Sequence, residues 1–201
     1  MRIILASGNR GKYREMKKQL EPFGIELIPG ADVTAPLEVE ENGATYEENA
    51  LLKAKAWAEA TGLPVMADDS GLEAAALGGL PGIRSARIAE GGDKERTRWL
   101  LEQMKDREDR RARFVCSIAV VIPGMKEPLT VTEYCGGRIA REPAGESGFG
   151  YDPVFIPDGY ENSFAELGDE IKNKISHRAK AVKSIAETLI PVIQLYAVRS
   201  M

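Results

Sequence analysis

The feature that most constrains the fold is a short apolar strand at the start of the sequence that leads into a turn and a helix. Residues 2–6 are expected as a strand, and after Arg2 its residues 3–6 are apolar without alternation, which is typical of a strand buried on both faces of a sheet. Apolar residues recur at helical spacing over 13–20, and Pro22 and Gly24 end that pattern. The turn between them consists of Ser7, Gly8, Asn9, Arg10, Gly11 and Lys12. This order predicts an α/β fold.

The rest of the sequence extends this α/β pattern. Thr45 and Glu48 fit a capping box at the start of a helix that stops at Gly62. Further elements are expected as strands at 25–28, 64–67, 113–122 and 129–135, and as helices from Asp93 and over about 176–189, with Pro191 kinking or ending the last. The two long strands are expected to pair antiparallel. We predict a single domain over 1–201 with a mixed sheet, and a lobe built around 112–136.

Composition excludes several classes of protein. A chain of 201 residues can bury a sizeable core without disulfides or metals. No apolar run approaches the ~18 residues of a membrane span, and the N-terminal run is too short for a signal peptide, so a cytoplasmic protein without a membrane partner is expected. The net charge of −4 argues against a nucleic-acid surface. A basic run interleaved with acidic residues is interpreted as a solvated loop; its arginines are Arg107, Arg110, Arg111 and Arg113.

Cysteine and histidine are too few for some kinds of chemistry. Cys116 and Cys135 are not arranged as a C-x-x-C motif, and His177 is the single histidine, so a conventional zinc site is not available. Both cysteines fall in strand-like segments and are expected to be buried thiols. A Ser-His or Cys-His nucleophilic site could use only His177 as its base.

The turn over 7–12 is the first candidate binding site. A helix N-terminus offers backbone N–H groups and partial positive charge, and Lys12 adds a full charge, which together suit a phosphate chain. The spacing is not that of a Walker A loop. An ordinary capped turn between strand and helix is the alternative.

Asp68 and Asp69 form a second candidate site, at the expected end of the 64–67 strand. Two adjacent carboxylates repel unless solvent or a cation is near, and the carboxyl ends of strands hold ligands in open α/β sheets. Oxygen ligands of this kind suit Mg²⁺. Glu40 and Glu41 are another acidic pair, in a loop. Solvated surface turns are the alternative for both pairs.

Two later segments could contact a nucleoside. In the glycine-rich loop 145–153, Phe149 or Tyr151 could stack on a base while Asp152 contacts a polar edge; an ordinary turn at the edge of the sheet is the alternative. Before the last helix, Lys172 and Arg178 are long cations, and His177 and Arg178 could donate hydrogen bonds to a carbonyl group. A structural histidine is the alternative there.

Seven motifs in order resemble the inosine triphosphate pyrophosphatase family, the dITP/XTP pyrophosphatases that remove non-canonical purine nucleotides. Each motif is modest, but their order over about residues 3–190 is specific. They are Ser7-x-Asn9-x-x-Lys12; Glu40 with Thr45-Tyr46-x-Glu48-Asn49-Ala50-x-x-Lys53-Ala54; Ala67-Asp68-Asp69-Ser70-Gly71-Leu72; Gly79-Leu80-Pro81-Gly82-x-x-Ser85-Ala86-Arg87; Gly148-Phe149-Gly150-Tyr151-Asp152-Pro153; Phe164-Ala165-Glu166-Leu167; and Lys172-Asn173-x-x-Ser176-His177-Arg178.

The resemblance implies a long mixed sheet that forms two lobes with a substrate cleft between them, and a homodimer. It implies that Ser7 to Lys12 and Lys53 hold a triphosphate, and that Ser70 contacts the substrate. Glu40 and Asp69 would position Mg²⁺, with Asp68 and Glu41 as further candidate ligands, and Asp69 would accept the proton of the attacking water. The implied nucleoside contacts are Phe149, Gly150, Tyr151 and Asp152, with Lys172, His177 and Arg178 at the base edge.

The implied activity is Mg²⁺-dependent hydrolysis of ITP, dITP and XTP to the monophosphate and pyrophosphate, which cleanses the nucleotide pool. Three alternatives stay open at this point. They are a related pyrophosphatase for modified pyrimidine nucleotides, a non-catalytic nucleotide-binding module, and a phosphoacceptor receiver domain. The order of elements fits the last poorly, and binding alone needs no proton acceptor.

Overall fold

The computed structural model describes residues 1–35 and 37–199, and these form an α/β fold. The described strands are β1 (Arg2–Leu5), β2 (Glu26–Pro29), β3 (Val65–Ala74), β4 (Arg111–Val121), β5 (Leu129–Ile139) and β6 (Phe155–Pro157). The described helices are α1 (Arg10–Leu20), α2 (Tyr46–Thr61), α3 (Asp93–Gln103), α4 (Phe164–Ile175) and α5 (His177–Arg199).

The six strands make one mixed sheet in the order β2-β1-β3-β4-β5-β6. β1 pairs parallel with both β2 and β3, and β5 pairs antiparallel with β6. The prediction of an α/β fold with a mixed sheet is therefore confirmed. The antiparallel pairing of the two long strands and a cleft between two lobes stay predictions.

The chain divides into two compact units, each with its own core. Of the described residues, the first unit comprises 1–35, 37–69, Ser117–Thr132 and 178–199, and the second comprises Ser70–Cys116 and Glu133–His177. In the first unit, Ala50, Ala54 and Trp57 of α2 are buried in a cluster with residues of β1, β3 and β4. A cluster of aromatic rings, Phe114, Phe155 and Phe164, lies in the core of the second unit. The single-domain interpretation stays a prediction.

Local capping explains where the helices begin. The Asn9 side chain accepts the N–H groups of Gly11 and Lys12 at the start of α1. The capping box predicted for α2 is present: the Thr45 side chain accepts from Glu48 N–H, and α2 ends at Gly62 in the left-handed conformation. Gly30 lies so close to the Trp57 ring that a side chain at residue 30 would collide with it.

Two expectations about elements are wrong, and a third is wrong in one of its two alternatives. The strand predicted over 64–67 does not end before Asp68 but continues as β3 to Ala74. The pairing of β1 with β3 ends at Leu5 and Met66, so the carboxylates follow the end of the parallel pairing rather than the end of the strand. The basic run is not all loop, because Arg111 and Arg113 lie in β4. Pro191 lies inside α5 and does not end it, although proline lacks a backbone N–H; the alternative that it kinks the helix stays a prediction.

Two other expectations concern the chain's cysteines and membranes. Cys116 and Cys135 are buried and are not joined in a disulfide, as predicted. Among the described residues, no helix combines the length and the apolar character that crossing a membrane requires.

Candidate active site

Asp68 is buried in the first unit with three cations around it. Its Oδ2 atom lies 2.8 Å from Lys12 Nζ and accepts a hydrogen bond of 3.5 Å from the Arg178 guanidinium. Burial alone would raise the pKa of Asp68, but the charges of Lys12, Arg178 and Lys53 outweigh it and hold the pKa well below its usual range. Asp68 is therefore ionised at neutral pH and serves as the counter-ion of this cluster.

Asp69 is chemically different although it is the next residue. Its Oδ2 atom accepts a hydrogen bond of 3.1 Å from the amide of Asn49 on α2. Burial raises the pKa of Asp69, and the charges of Lys53 and Lys12 oppose this rise only in part. A carboxylate with a raised pKa binds a proton more readily, which is the property that a general base needs.

Lys53 links the two aspartates to the acidic loop. Its Nζ atom donates a 2.6 Å hydrogen bond to the backbone carbonyl of Asp68 and lies 2.8 Å from the Glu41 carboxylate. Burial would lower the pKa of Lys53, but Asp68, Asp69 and Glu41 together raise it. The ammonium group stays charged and available to an anionic ligand.

The four candidate metal ligands differ in burial and in the groups that they contact. Glu41 contacts Lys53 and its negative charge also raises the pKa of Asp69, whereas Glu40 is exposed. Among the described residues, no three His, Cys, Asp or Glu side chains form a metal-binding group. The donor set fits Mg²⁺ nonetheless, because Mg²⁺ uses one or two protein carboxylates together with phosphates and water. Asp69 and Glu41 supply hard oxygen atoms whose mutual repulsion a cation would relieve.

Several backbone N–H groups of the turn over 7–12 already have hydrogen-bond partners within the turn. Asn9 Oδ1 accepts from Gly11 N–H at 2.8 Å and Lys12 N–H at 3.1 Å, and Ser7 Oγ accepts from Asn9 N–H. The amides that the sequence assigns to a phosphate are thus capped. Gly8, Asn9 and Arg10 are exposed and the Lys12 side chain is partly exposed, so these groups of the turn remain accessible. The assignment of this turn to a triphosphate stays a prediction.

In the second unit, two of the candidate nucleoside residues form a buried ion pair. Lys172 Nζ lies 2.5 Å from Asp152 Oδ2, and both side chains are about as buried as core residues, at 3% and 2% exposed. The same Asp152 oxygen accepts the Phe149 N–H at 2.8 Å. Lys172 Nζ also lies 4.4 Å from the centre of the Phe149 ring, a cation–π contact. The pair therefore fixes both the backbone and the ring of Phe149.

The loop that carries Phe149 is held by two further segments of the same unit. Gly150 N–H donates to Asp93 Oδ2 at 2.7 Å, and Gly150 C=O accepts from Thr97 Oγ at 3.3 Å. Both backbone groups of Gly150 are therefore bonded to side chains of α3. Tyr151 OH donates to the Ser85 carbonyl, and burial raises the pKa of Tyr151 to about 12. Gly148 has φ +82°, and a side chain there would collide with the Asp152 carboxylate.

The remaining candidates have separate surroundings. His177 is buried in the second unit and stacks on Phe114, with ring centres 4.6 Å apart and planes 9° from parallel. Arg178 belongs to the first unit, where it donates to Glu15 at 2.7 Å and to Asp68. Ser70 is half-buried in β3. The contacts of His177, Arg178 and Ser70 with a substrate stay predictions.

Sequence reasoning gave no role to several residues that build the site. Asn49 precedes Lys53 by four positions on α2, and this spacing places both on one face of the helix, which is a detectable sign. Asp93 was expected only as a helix start. Glu15 carries no sign in the sequence, because its partner Arg178 lies 163 positions away.

Comparison with known proteins agrees with these observations. The family model described as the Ham1 family matches residues 3–188. A dITP/XTP pyrophosphatase of Bacillus licheniformis is 46% identical over 191 residues, covering 93% of this chain and 97% of that protein. One of Deinococcus radiodurans is 48% identical over 188 residues, covering 92% and 90%. The solved structure of a HAM1 protein from Coxiella burnetii has a TM-score of 0.85 at 42% identity, covering 94% and 98%. The resemblance seen in the motifs is confirmed, and the chain belongs to the Ham1 family.

Proposed function

We propose that this protein is a nucleoside triphosphate pyrophosphatase that acts on the purine nucleotides dITP, XTP and ITP. It releases the nucleoside monophosphate and pyrophosphate, and it requires Mg²⁺. The names of the relatives support the substrate class. We further propose that the protein works in the cytoplasm as a homodimer.

The observation that carries this proposal is the unequal environment of two adjacent carboxylates. Asp68 is neutralised by Lys12 and Arg178, whereas Asp69 is 7% exposed and has a raised pKa. A site that only bound nucleotide would have no use for a carboxylate with enhanced affinity for a proton. A hydrolytic site needs one such group beside cations.

In the proposed reaction, Asp69 accepts a proton from water while the water oxygen attacks the α-phosphorus. The bond between that phosphorus and the α,β-bridging oxygen breaks, and pyrophosphate leaves with the bond's electron pair. Lys12 and Lys53 provide fixed positive charge for the phosphate oxygens as negative charge develops on them. Asp69 and Glu41 would hold Mg²⁺, which when bound neutralises phosphate charge and polarises the phosphoryl group.

The nucleoside is assigned to the second unit's loop. Phe149 is rigid because Asp152 holds its N–H and Lys172 lies over its ring, which makes it suitable for stacking on a base. A rigid stacking surface accepts every purine base, so it contributes to affinity for the nucleotide but not to selectivity between bases.

Choice between bases requires a donor to the O6 carbonyl of hypoxanthine and xanthine, where adenine has an amino group. His177 and Arg178 were both expected in this role. Arg178 already donates hydrogen bonds to Glu15 and Asp68. We therefore propose His177, before Arg178, as the residue that donates a hydrogen bond to O6. A polar group left unpaired against adenine costs ~1–3 kcal/mol.

The experiment is a product assay with dITP, XTP, ITP and ATP in water labelled with oxygen-18. The proposal predicts pyrophosphate release, the label in the monophosphate, and poor turnover of ATP. Orthophosphate as the first product would indicate a γ-phosphatase, and label in pyrophosphate would indicate attack at the β-phosphorus. Equal turnover of ATP and ITP would contradict the proposed base selectivity, and preference for modified pyrimidine nucleotides would favour the related family.

A further inference from the structure

The second unit contains a cavity of about 760 Å³ that none of the proposed catalytic groups lines. Its walls are α3 on one side and the segment 141–153 with Arg110 on the other. The volume lies within the range of ~300–1,000 Å³ that small-molecule sites occupy. Leu101, Pro143 and Pro153 give part of the wall an apolar surface.

The charged groups that line the cavity are mostly positive. The cations are Lys94, Arg98, Lys105, Arg110 and Arg141, and the carboxylates are Asp93 and Glu102. Asp93 is already occupied, because it pairs with Arg96 and accepts the Gly150 N–H. Glu102 lies 3.9 Å from Lys105. The remaining cations leave the cavity positive in a chain whose net charge is −4.

Two of the guanidinium groups are close enough to repel one another. Arg110 is fixed by donating to the carbonyls of Met104, Ile139 and Ala140, at 2.5–2.8 Å. Burial lowers the pKa of the Arg110 guanidinium, and the charge of Arg141 lowers it further. Among the described residues, no carboxylate forms an ion pair with Arg98, Arg110 or Arg141. An anion between these groups would remove the repulsion.

We infer that this cavity binds a small molecule that carries a phosphate chain, at a site separate from the proposed catalytic groups. Arginine forks match phosphate oxygens in pairs, so Arg98 and Arg141 favour phosphate. Arg110 adds fixed positive charge, because its guanidinium nitrogens already donate to backbone carbonyls. The apolar wall near Leu101 accommodates the remainder of such a ligand. This inference does not depend on the proposed hydrolysis, because Asp69, Glu41, Lys12 and Lys53 do not line the cavity; it shares with the proposed nucleoside loop only Thr97, Gly150 and the loop's neighbouring residues.

The test is calorimetric titration of the whole protein with inorganic tripolyphosphate in the absence of Mg²⁺. We expect a saturable binding event that is weakened about tenfold or more in the double variant Arg98→Glu, Arg141→Glu, because two cations become anions. The matched control is Arg107→Glu with Lys126→Glu, which changes the net charge equally at exposed positions outside the cavity. This control should shift the affinity by about twofold at most.

A second variant separates the cavity from the proposed triphosphate site. Lys12→Met should leave the cavity's binding event in place, since Lys12 is not among its lining residues. The inference fails if no saturable binding occurs, if Lys12→Met abolishes all of it, or if the control pair weakens it as much as the cavity pair. Should the double variant fail to fold, the single change Arg141→Gln at an exposed position is expected to weaken binding in the same direction. Pyrophosphate release from dITP by the unaltered protein, measured separately, reports on the proposed function alone.

Discussion

The two units each contain a buried cluster of opposite charges, but only one of them is open to a ligand. In the first unit, Asp68 is fully buried while the side chains of Lys12, Lys53 and Glu41 remain 16%, 13% and 26% exposed. In the second unit, Asp152 and Lys172 are both closed off. The first cluster therefore has charges that can act on a ligand. The second holds its neighbours in position.

The largest effect on turnover is expected for Asp69→Asn, which tests whether the two adjacent carboxylates have different functions. Loss of a general base should lower kcat by about 10²–10⁴-fold. Thermal unfolding should change little, because the asparagine keeps an oxygen for the Asn49 amide. Asp32→Asn at an exposed position is the control for turnover. Retention of kcat within about threefold of the parent would remove Asp69 from the role of base.

Asp68→Asn should show the opposite pattern, a loss of stability rather than a specific loss of chemistry. Removing a buried charge from Lys12 and Arg178 should cost about 3–5 kcal/mol in urea unfolding at neutral pH. The folded-state pKa is lowered, so this contribution is complete above about pH 5 and is lost as the pH falls through the folded value. The difference between variant and parent should therefore shrink in acid. Asp109→Asn, in an exposed pair with Arg111, should change stability little at any pH.

The closed pair of the second unit predicts a result that a double-mutant cycle can detect. Lys172→Met leaves the Asp152 carboxylate buried without its cation and should cost about 3–5 kcal/mol in urea unfolding. Adding Asp152→Asn should recover more than half of that loss, because no charge then remains buried. Lys174→Met in the exposed pair on the same helix is the control and should be nearly neutral. If the two changes are simply additive, the pair is not the support that we describe.

The smallest effect is expected at α3. Thr97→Val removes the hydrogen bond to the Gly150 carbonyl. This should destabilise the bound conformation of the loop that carries Phe149 by about 1 kcal/mol. We expect KM for dITP to rise about fivefold with kcat nearly unchanged, since the chemistry occurs elsewhere. Thr61→Val removes a comparable hydrogen bond at the end of α2 and should leave KM as it was. An equal rise in both variants would indicate a general loss of stability.

The sequence predicted the features that depend on neighbours along the chain. The cap of α2, its end at Gly62 and the N-terminal strand and helix follow from local rules and are present. The helix α4 was not predicted, although Ser163 and Glu166 form the same capping box and could have indicated it.

Features that depend on distant partners were beyond the reach of local patterns. The sequence predicts the two aspartates after the end of a strand, because it does not reveal where β1 stops pairing with β3. The contact of Arg178 with Asp68 joins residues 110 positions apart. The Asp152–Lys172 pair was not predicted either, because both residues were interpreted separately as ligand contacts.

The most direct test of the difference between the aspartates is carbon-13 NMR of the side-chain carboxyl groups over a pH titration of the whole protein, with Asp68→Asn and Asp69→Asn used to assign the resonances. We predict that Asp69 titrates above the usual value for aspartate, about 3.9, and that Asp68 titrates below it. Two ordinary titrations, or the reverse order, would contradict it.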